Sequence, residues 1–148
     1  MSEHPGRSGR ASPLHLTPAA LALVVVGGMA GTAARHAMTL LLPSRHGWPL
    51  ATLSVNLVGA FVLGLLLEAL ARRGPDQGTR RRVRLIVGTG FCGAFTTYSA
   101  LAVDVDLLLR GGQPATGVAY GLTTVVVGFG VCALGIWIGA RRGPRAAA

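Results

Sequence analysis

Four apolar runs separated by short polar stretches organise this chain. The first extends from about Pro18 to Leu42 and carries no formal charge before Arg35. The second is free of formal charge from His46 to Leu67, the third from Leu85 to Val103. The fourth runs from Gly111 to Ala140, with a helix start expected near Pro114. A helix needs about 20 apolar residues to cross a hydrocarbon core of roughly 30 Å, so each run is long enough to span a bilayer. The pattern predicts an all-α membrane protein of four transmembrane helices. Residues 1–16, rich in Ser, Gly, Pro, Arg and His, read as a disordered tail, 17–141 as the transmembrane domain, and 142–148 as a C-terminal tail. The first apolar run is long and has no small-residue cleavage pattern, so a signal peptide is not expected. Arg72 to Arg80 reads as a polar hairpin between the second and third spans.

The third run departs from the others. In its middle lies Gly90-Phe91-Cys92-Gly93-Ala94-Phe95-Thr96-Thr97-Tyr98-Ser99, a polar, glycine-containing segment at mid-depth. Hydrocarbon offers backbone groups no hydrogen-bond partners, so broken helix is tolerated there only where it lines a cavity or is buried in protein. The segment therefore predicts a third helix broken at mid-membrane. Carbonyls freed by the break can bind a cation, and hydroxyls and ring edges can face a permeating solute.

Composition agrees with a membrane protein: 51% of the 148 residues are hydrophobic and only 13% charged. The formal net charge is +9, and all 14 basic residues are arginine. These arginines sit at the ends of apolar runs, as membrane orientation requires, and not in a pattern that suits nucleic acid. With four spans, the N-terminus, the loop between spans two and three, and the C-terminus share one side. That side holds eleven arginines, against Arg45 and Arg110 on the other. The positive-inside rule then places both termini in the cytoplasm of a cell-membrane protein. Cys92 and Cys132 fall within spans and have no spacing that suggests a metal site or a disulfide framework. Small residues recur through the spans, as in Gly27 to Gly31, Gly59 to Gly64 and Gly128 to Gly135. Such faces let helices approach closely, and four thin helices alone enclose little, so oligomeric assembly is expected.

Several polar residues within the spans need a reason. Arg35, inside the first run, either serves a function at depth or snorkels to the interface. Asn56, in the centre of the second, either joins helices by a hydrogen bond or donates its NH2 to an anion. Tyr120 and Thr124 lie four apart on one face of the fourth span, where a threonine most often bonds its own backbone. Glu68 reads as a solvated helix-end carboxylate, and Asp104 and Asp106 as a polar rim at the far end of the third span. Trp48 and Trp137 sit near span ends, as interfacial aromatics do. His4, His15, His36 and His46 form no metal-ligand spacing. No nucleophile, base and orienting group can be assembled from this set, and an enzyme is not expected.

Three motifs carry a resemblance. Gly27-Gly28-x-x-Gly31-Thr32-x-x-Arg35-His36, Thr52-Leu53-x-Val55-Asn56-x-x-Gly59-x-Phe61-x-x-Gly64, and the Gly90 to Ser99 segment resemble those of the Fluc (CrcB) family of fluoride-specific channels. The similarity covers all four spans in order, roughly residues 20–140. It implies an antiparallel dimer of four-helix subunits with two fluoride pores and a structural sodium ion (Na+), not transported, at the dimer interface. By motif, carbonyls of Gly93 and Thr96 would hold the sodium. The pore asparagine matches Asn56, the vestibule arginine Arg35, the third-helix pore serine Ser99, and the fourth-helix tyrosine and hydroxyl Tyr120 and Thr124. The family usually has two phenylalanines, three apart, after the Thr-Thr pair; here those positions are Tyr98 and Leu101. Tyrosine keeps an electropositive ring edge, whereas leucine has no quadrupole to offer an anion. Ala100 and Ala94 also stand where the family commonly has threonine and glycine.

The function this implies is passive efflux of fluoride from the cytoplasm. Hydrogen fluoride crosses the bilayer from an acidic exterior and dissociates inside, so exit of the anion suffices. Two other readings stay open: a small proton-coupled exporter, for which the candidate buried carboxylate is Glu68, and a non-conducting subunit of a heterodimer. An antiparallel homodimer requires one sequence to insert in both orientations. The arginine bias opposes that, so a related subunit of opposite orientation is expected as the partner rather than the same chain.

Overall fold

The computed structural model describes residues 17–44 and 47–141. The expected tails at 1–16 and 142–148, with Arg45 and His46, lie outside the described residues. Helix α1 (Pro18–Leu41) starts where the Thr17 hydroxyl accepts the Ala20 N–H at 3.4 Å. Pro18 fills the first helical position, where a missing N–H costs nothing. Helix α2 spans Leu50–Ala71. The third span is composite: α3 (Gly78–Val83), a wide-turned π-helical stretch (Arg84–Cys92), one turn α4 (Gly93–Phe95), then α5 (Tyr98–Arg110). Gly112, in the left-handed region at φ 74°, turns the chain into α6 (Pro114–Arg141). All four spans are long and apolar enough to cross a membrane, and the third is broken. The chain is a multi-pass, all-α membrane protein.

The polar hairpin is shorter than expected. Because α3 begins at Gly78, the arginines at 80–84 are helical, and the connection is confined to residues 72–77. Arginine is a good helix former, and nothing in Thr79 to Val83 opposes extension of the third span in that direction.

The break changes what the third span packs on. Its first half lies against α1, its second half against α6, and α6 also runs along α2. Glycines make both crossings close. A Cβ on Gly27 or Gly31 would collide with the backbone oxygens of Ile86 and Phe91, and one on Gly135 with that of Phe61. Gly27→Ala is therefore expected to force α1 off the π stretch, by overpacking worth about 1–3 kcal/mol or more. Gly130→Ala, where a Cβ meets nothing within 4 Å, serves as control. Thermal unfolding of the two variants in detergent checks this: Gly27→Ala should melt well below the parent and Gly130→Ala with it.

Candidate functional site

The break sits at Thr96–Thr97, where both residues are extended (φ −79°, ψ 159° and φ −153°, ψ 119°). Thr96 still closes the preceding helix, its N–H reaching Cys92 O at 3.0 Å and its hydroxyl donating to the same oxygen at 2.9 Å. Thr97 restarts the helix as the cap of α5, its Oγ1 accepting the Ala100 N–H at 3.1 Å.

Asn56 holds the break from α2. Its Oδ1 accepts the Thr97 N–H at 2.8 Å, and its Nδ2 donates to Thr97 O at 3.0 Å. The carboxamide so replaces, on one residue, the two backbone bonds that the extended conformation gives up. One NH2 hydrogen is used, and the group carries two. Gly59 lies one turn along, where a Cβ would strike the Thr96 side chain. The helix-joining reading of Asn56 is thus realised, with a second hydrogen to spare.

The consequence for the carbonyls is direct. In an unbroken helix the Thr97 amide would bond Gly93 O and the Ala100 amide Thr96 O. Here those amides are spent on Asn56 and on Thr97 Oγ1. Gly93 is exposed, with open space where a side chain would be. Gly93 and Thr96 thus fit the hard, oxygen-ligated chemistry of a small cation.

Two hollows meet at Thr97. One, of about 540 Å³, lies among α1, α2 and α5 and is lined by Arg35, Thr52, Ser99 and Asp104, with His36 at its wall. The other, a groove of about 280 Å³, is bounded by α2, α5 and α6 and lined by Asn56, Thr96, Tyr98, Leu101 and Thr124. Thr97 lines both, and its hydroxyl lies 3.2 Å from that of Ser99.

The remaining candidates divide. Tyr98 projects from the chain with 82% of its surface exposed, whereas Leu101 turns inward against Tyr120 and Leu108. Tyr120 is fully buried and lines neither hollow; its ring meets Trp48 edge-on at 5.7 Å and its hydroxyl donates to Asp104 Oδ2 at 3.3 Å. Thr124 donates its hydroxyl proton to Tyr120 O at 2.8 Å, the self-bonding expected of a lone threonine. Trp48, partly buried just before α2, packs its ring on Tyr120, while Trp137 lies under Arg141, whose Cζ is 3.5 Å from the ring centroid.

Asp104 is the residue that sequence reasoning misplaced. It was expected on a polar rim with Asp106; Asp106 does pair with Arg110 at 2.8 Å, but Asp104 lines the larger hollow opposite Arg35. Its place six residues before the charged helix end at Arg110 marks only a rim, and its partner Tyr120 belongs to another span. Glu68 sits at its helix end and accepts Arg72 Nε at 2.6 Å. Among the described residues no group of three His, Cys, Asp or Glu side chains could hold a metal.

The fold and site define a class: a four-span membrane protein whose third span is broken and clamped between two hollows. The family model described as CrcB-like protein, Camphor Resistance (CrcB), matches residues 22–136. A fluoride-specific ion channel FluC 2 of Leifsonia xyli is 47% identical over 135 residues, covering 88% of this chain and 93% of that one. A fluoride-specific ion channel FluC 1 of Cutibacterium acnes is 49% identical over 120 residues, 80% and 84% of the two chains. A FluC of Deinococcus radiodurans is 40% identical over 123 residues, 80% and 93%. The chain belongs to the CrcB family.

Proposed function

We propose that this protein is a fluoride-specific channel that lets fluoride leave the cytoplasm passively. The observation that carries it is the break at Thr96–Thr97, held open by Asn56 and set between two hollows. The names of its close relatives supply the ion. Fluoride is small and strongly hydrated, so a path must replace part of its water shell with weak, successive contacts. Arg35 attracts the anion into the larger hollow, where Ser99 offers a hydroxyl. Beyond Thr97 the second amide hydrogen of Asn56 and the electropositive ring edge of Tyr98 take over. Cells relying on this chain as their only fluoride exit should tolerate fluoride at acidic pH, and lose that tolerance with Asn56→Asp. Tolerance unaltered by deleting the chain would overturn the reading.

The partner follows from exposure. Tyr98 and Gly93 carry polar groups at mid-depth on a surface that this chain leaves uncovered, and hydrocarbon cannot satisfy them. An antiparallel dimer covers them, and brings the partner's carbonyls to those of Gly93 and Thr96, where a structural sodium ion would supply the charge that holds four oxygens together. Arg72, Arg73, Arg80, Arg81, Arg82, Arg84 and Arg141 lie at one end of the spans, with Arg110 at the other. Such a bias supports a cell-membrane orientation with both termini in the cytoplasm, and with it a mate that is a related subunit inserted the other way. Cysteine labelling of the tails in cells should come from the cytoplasmic side only; equal labelling from both sides would restore the homodimer.

One observation favours a second reading. Asp104, a carboxylate lining the larger hollow, is a better proton carrier for a coupled exporter than Glu68, which Arg72 holds at the helix end.

A further inference from the structure

We propose that the cleft between the end of α2, the 72–77 hairpin and α3 is a binding site for the headgroup of an anionic phospholipid. The cleft encloses about 210 Å³. One wall is hydrocarbon, made by Leu67, Leu70 and Ala71, and the other carries Arg80 and Arg84. It lies where α2 ends and α3 begins, at the boundary between apolar span and polar loop, the depth at which phosphates of a bilayer lie.

Its charges are unequal in use. Arg84 places both Nε and Nη2 on a single oxygen of Asp76, at 2.9 and 2.6 Å. The Arg84 hydrogen bond holds the Asp76 carboxyl below the usual carboxylate range, so the pair stays ionised and compensates itself. Arg80 is different. Its Nε donates to Pro75 O at 2.9 Å, and its head lies over Gly74, which has no side chain to displace it. That bond uses one of five guanidinium hydrogens and leaves the two Nη groups, the pair that grips a phosphate.

The surroundings add charge of one sign. Residues 72–84 hold six arginines and one acidic residue, Asp76. A polybasic segment beside a membrane attracts anionic lipid diffusely, and Arg80 in the cleft adds to that a directed grip. A free phosphate ion would use the arginines but not the leucine wall. A lipid uses both, with its glycerol and first acyl carbons along Leu67 and Leu70.

Native mass spectrometry of the purified full-length protein, with phosphatidylglycerol or phosphatidylcholine added in equal amounts, tests this without reference to fluoride. The protein should retain phosphatidylglycerol in preference, and Arg80→Gln should lower that retention about fivefold. Arg82→Gln, on the same helix but outside the cleft, should change it little. Leu70→Ala, which trims the apolar wall and leaves the charges alone, should lower it as well. Equal retention of phosphatidylcholine would overturn the proposal, as would equal losses in the Arg80 and Arg82 variants, which mean diffuse charge attraction. Displacement of the lipid by inorganic phosphate would also overturn it, making the cleft a phosphate site.

Discussion

Asn56→Asp is expected to lower fluoride efflux from reconstituted vesicles about a hundredfold or more. The substitution keeps the size of the side chain and the oxygen that accepts the Thr97 N–H, but replaces the donor to Thr97 O by a second acceptor. Two oxygens then face each other across the break, and a buried acceptor left unpaired costs about 1–3 kcal/mol. The carboxylate also faces the permeating anion inside a low-dielectric span, where like charges at close range cost several kcal/mol. About 1.4 kcal/mol is a factor of ten, so these effects together exceed two orders of magnitude. Asn56→Ala removes the clamp without adding charge and should fall between the parent and the aspartate variant. A fluoride electrode reads all three, and unchanged efflux in Asn56→Asp would reduce Asn56 to a packing residue.

The second large effect is expected from removing the proposed sodium. The carbonyls of Gly93 and Thr96 lose their helical amides to Asn56 and to the Thr97 hydroxyl, and in the proposed dimer the oxygens of two subunits would repel unless a cation sat among them. Replacing Na+ by a bulky organic cation should therefore dissociate the dimer or abolish efflux, and returning Na+ should restore both. Substituting side chains at Thr96 should matter less than changing the backbone path, since the proposed ligands are main-chain atoms. A dimer that stays intact and active after exhaustive sodium removal would show that the freed carbonyls find their partners elsewhere.

The spans were legible in the sequence because a bilayer imposes a length on apolar runs, and α6 begins at Pro114 where the pattern placed it. The break was legible as a polar, glycine-containing knot in the third run. Its position was not, because Thr96–Thr97 is selected by a hydrogen-bonding partner 41 residues earlier. The wide turns of Arg84–Cys92 left no local signal either; they are accommodated by the close approach of Gly27 and Gly31 on another helix. The family resemblance pairs Tyr98 with Leu101, yet one points outward and the other into the core. Three residues on a helix is about 300°, near enough to share a groove and far enough to differ in burial. Asp104 differs from expectation for a related reason. A charge near the end of an apolar run looks like a rim, and only the hollow among α1, α2 and α5 shows that Asp104 lines the same space as Arg35.

The central claim is a passive, selective fluoride path, and electrically controlled efflux tests it most directly. The protein is purified from its native membrane with any tightly bound partner subunit and reconstituted into vesicles loaded with potassium fluoride or potassium chloride at neutral pH. A channel that carries fluoride as a bare anion should release it only when valinomycin lets potassium follow, and chloride-loaded vesicles should release no more than protein-free ones. Fluoride released without valinomycin, driven uphill by a proton gradient, or matched by chloride would contradict the claim.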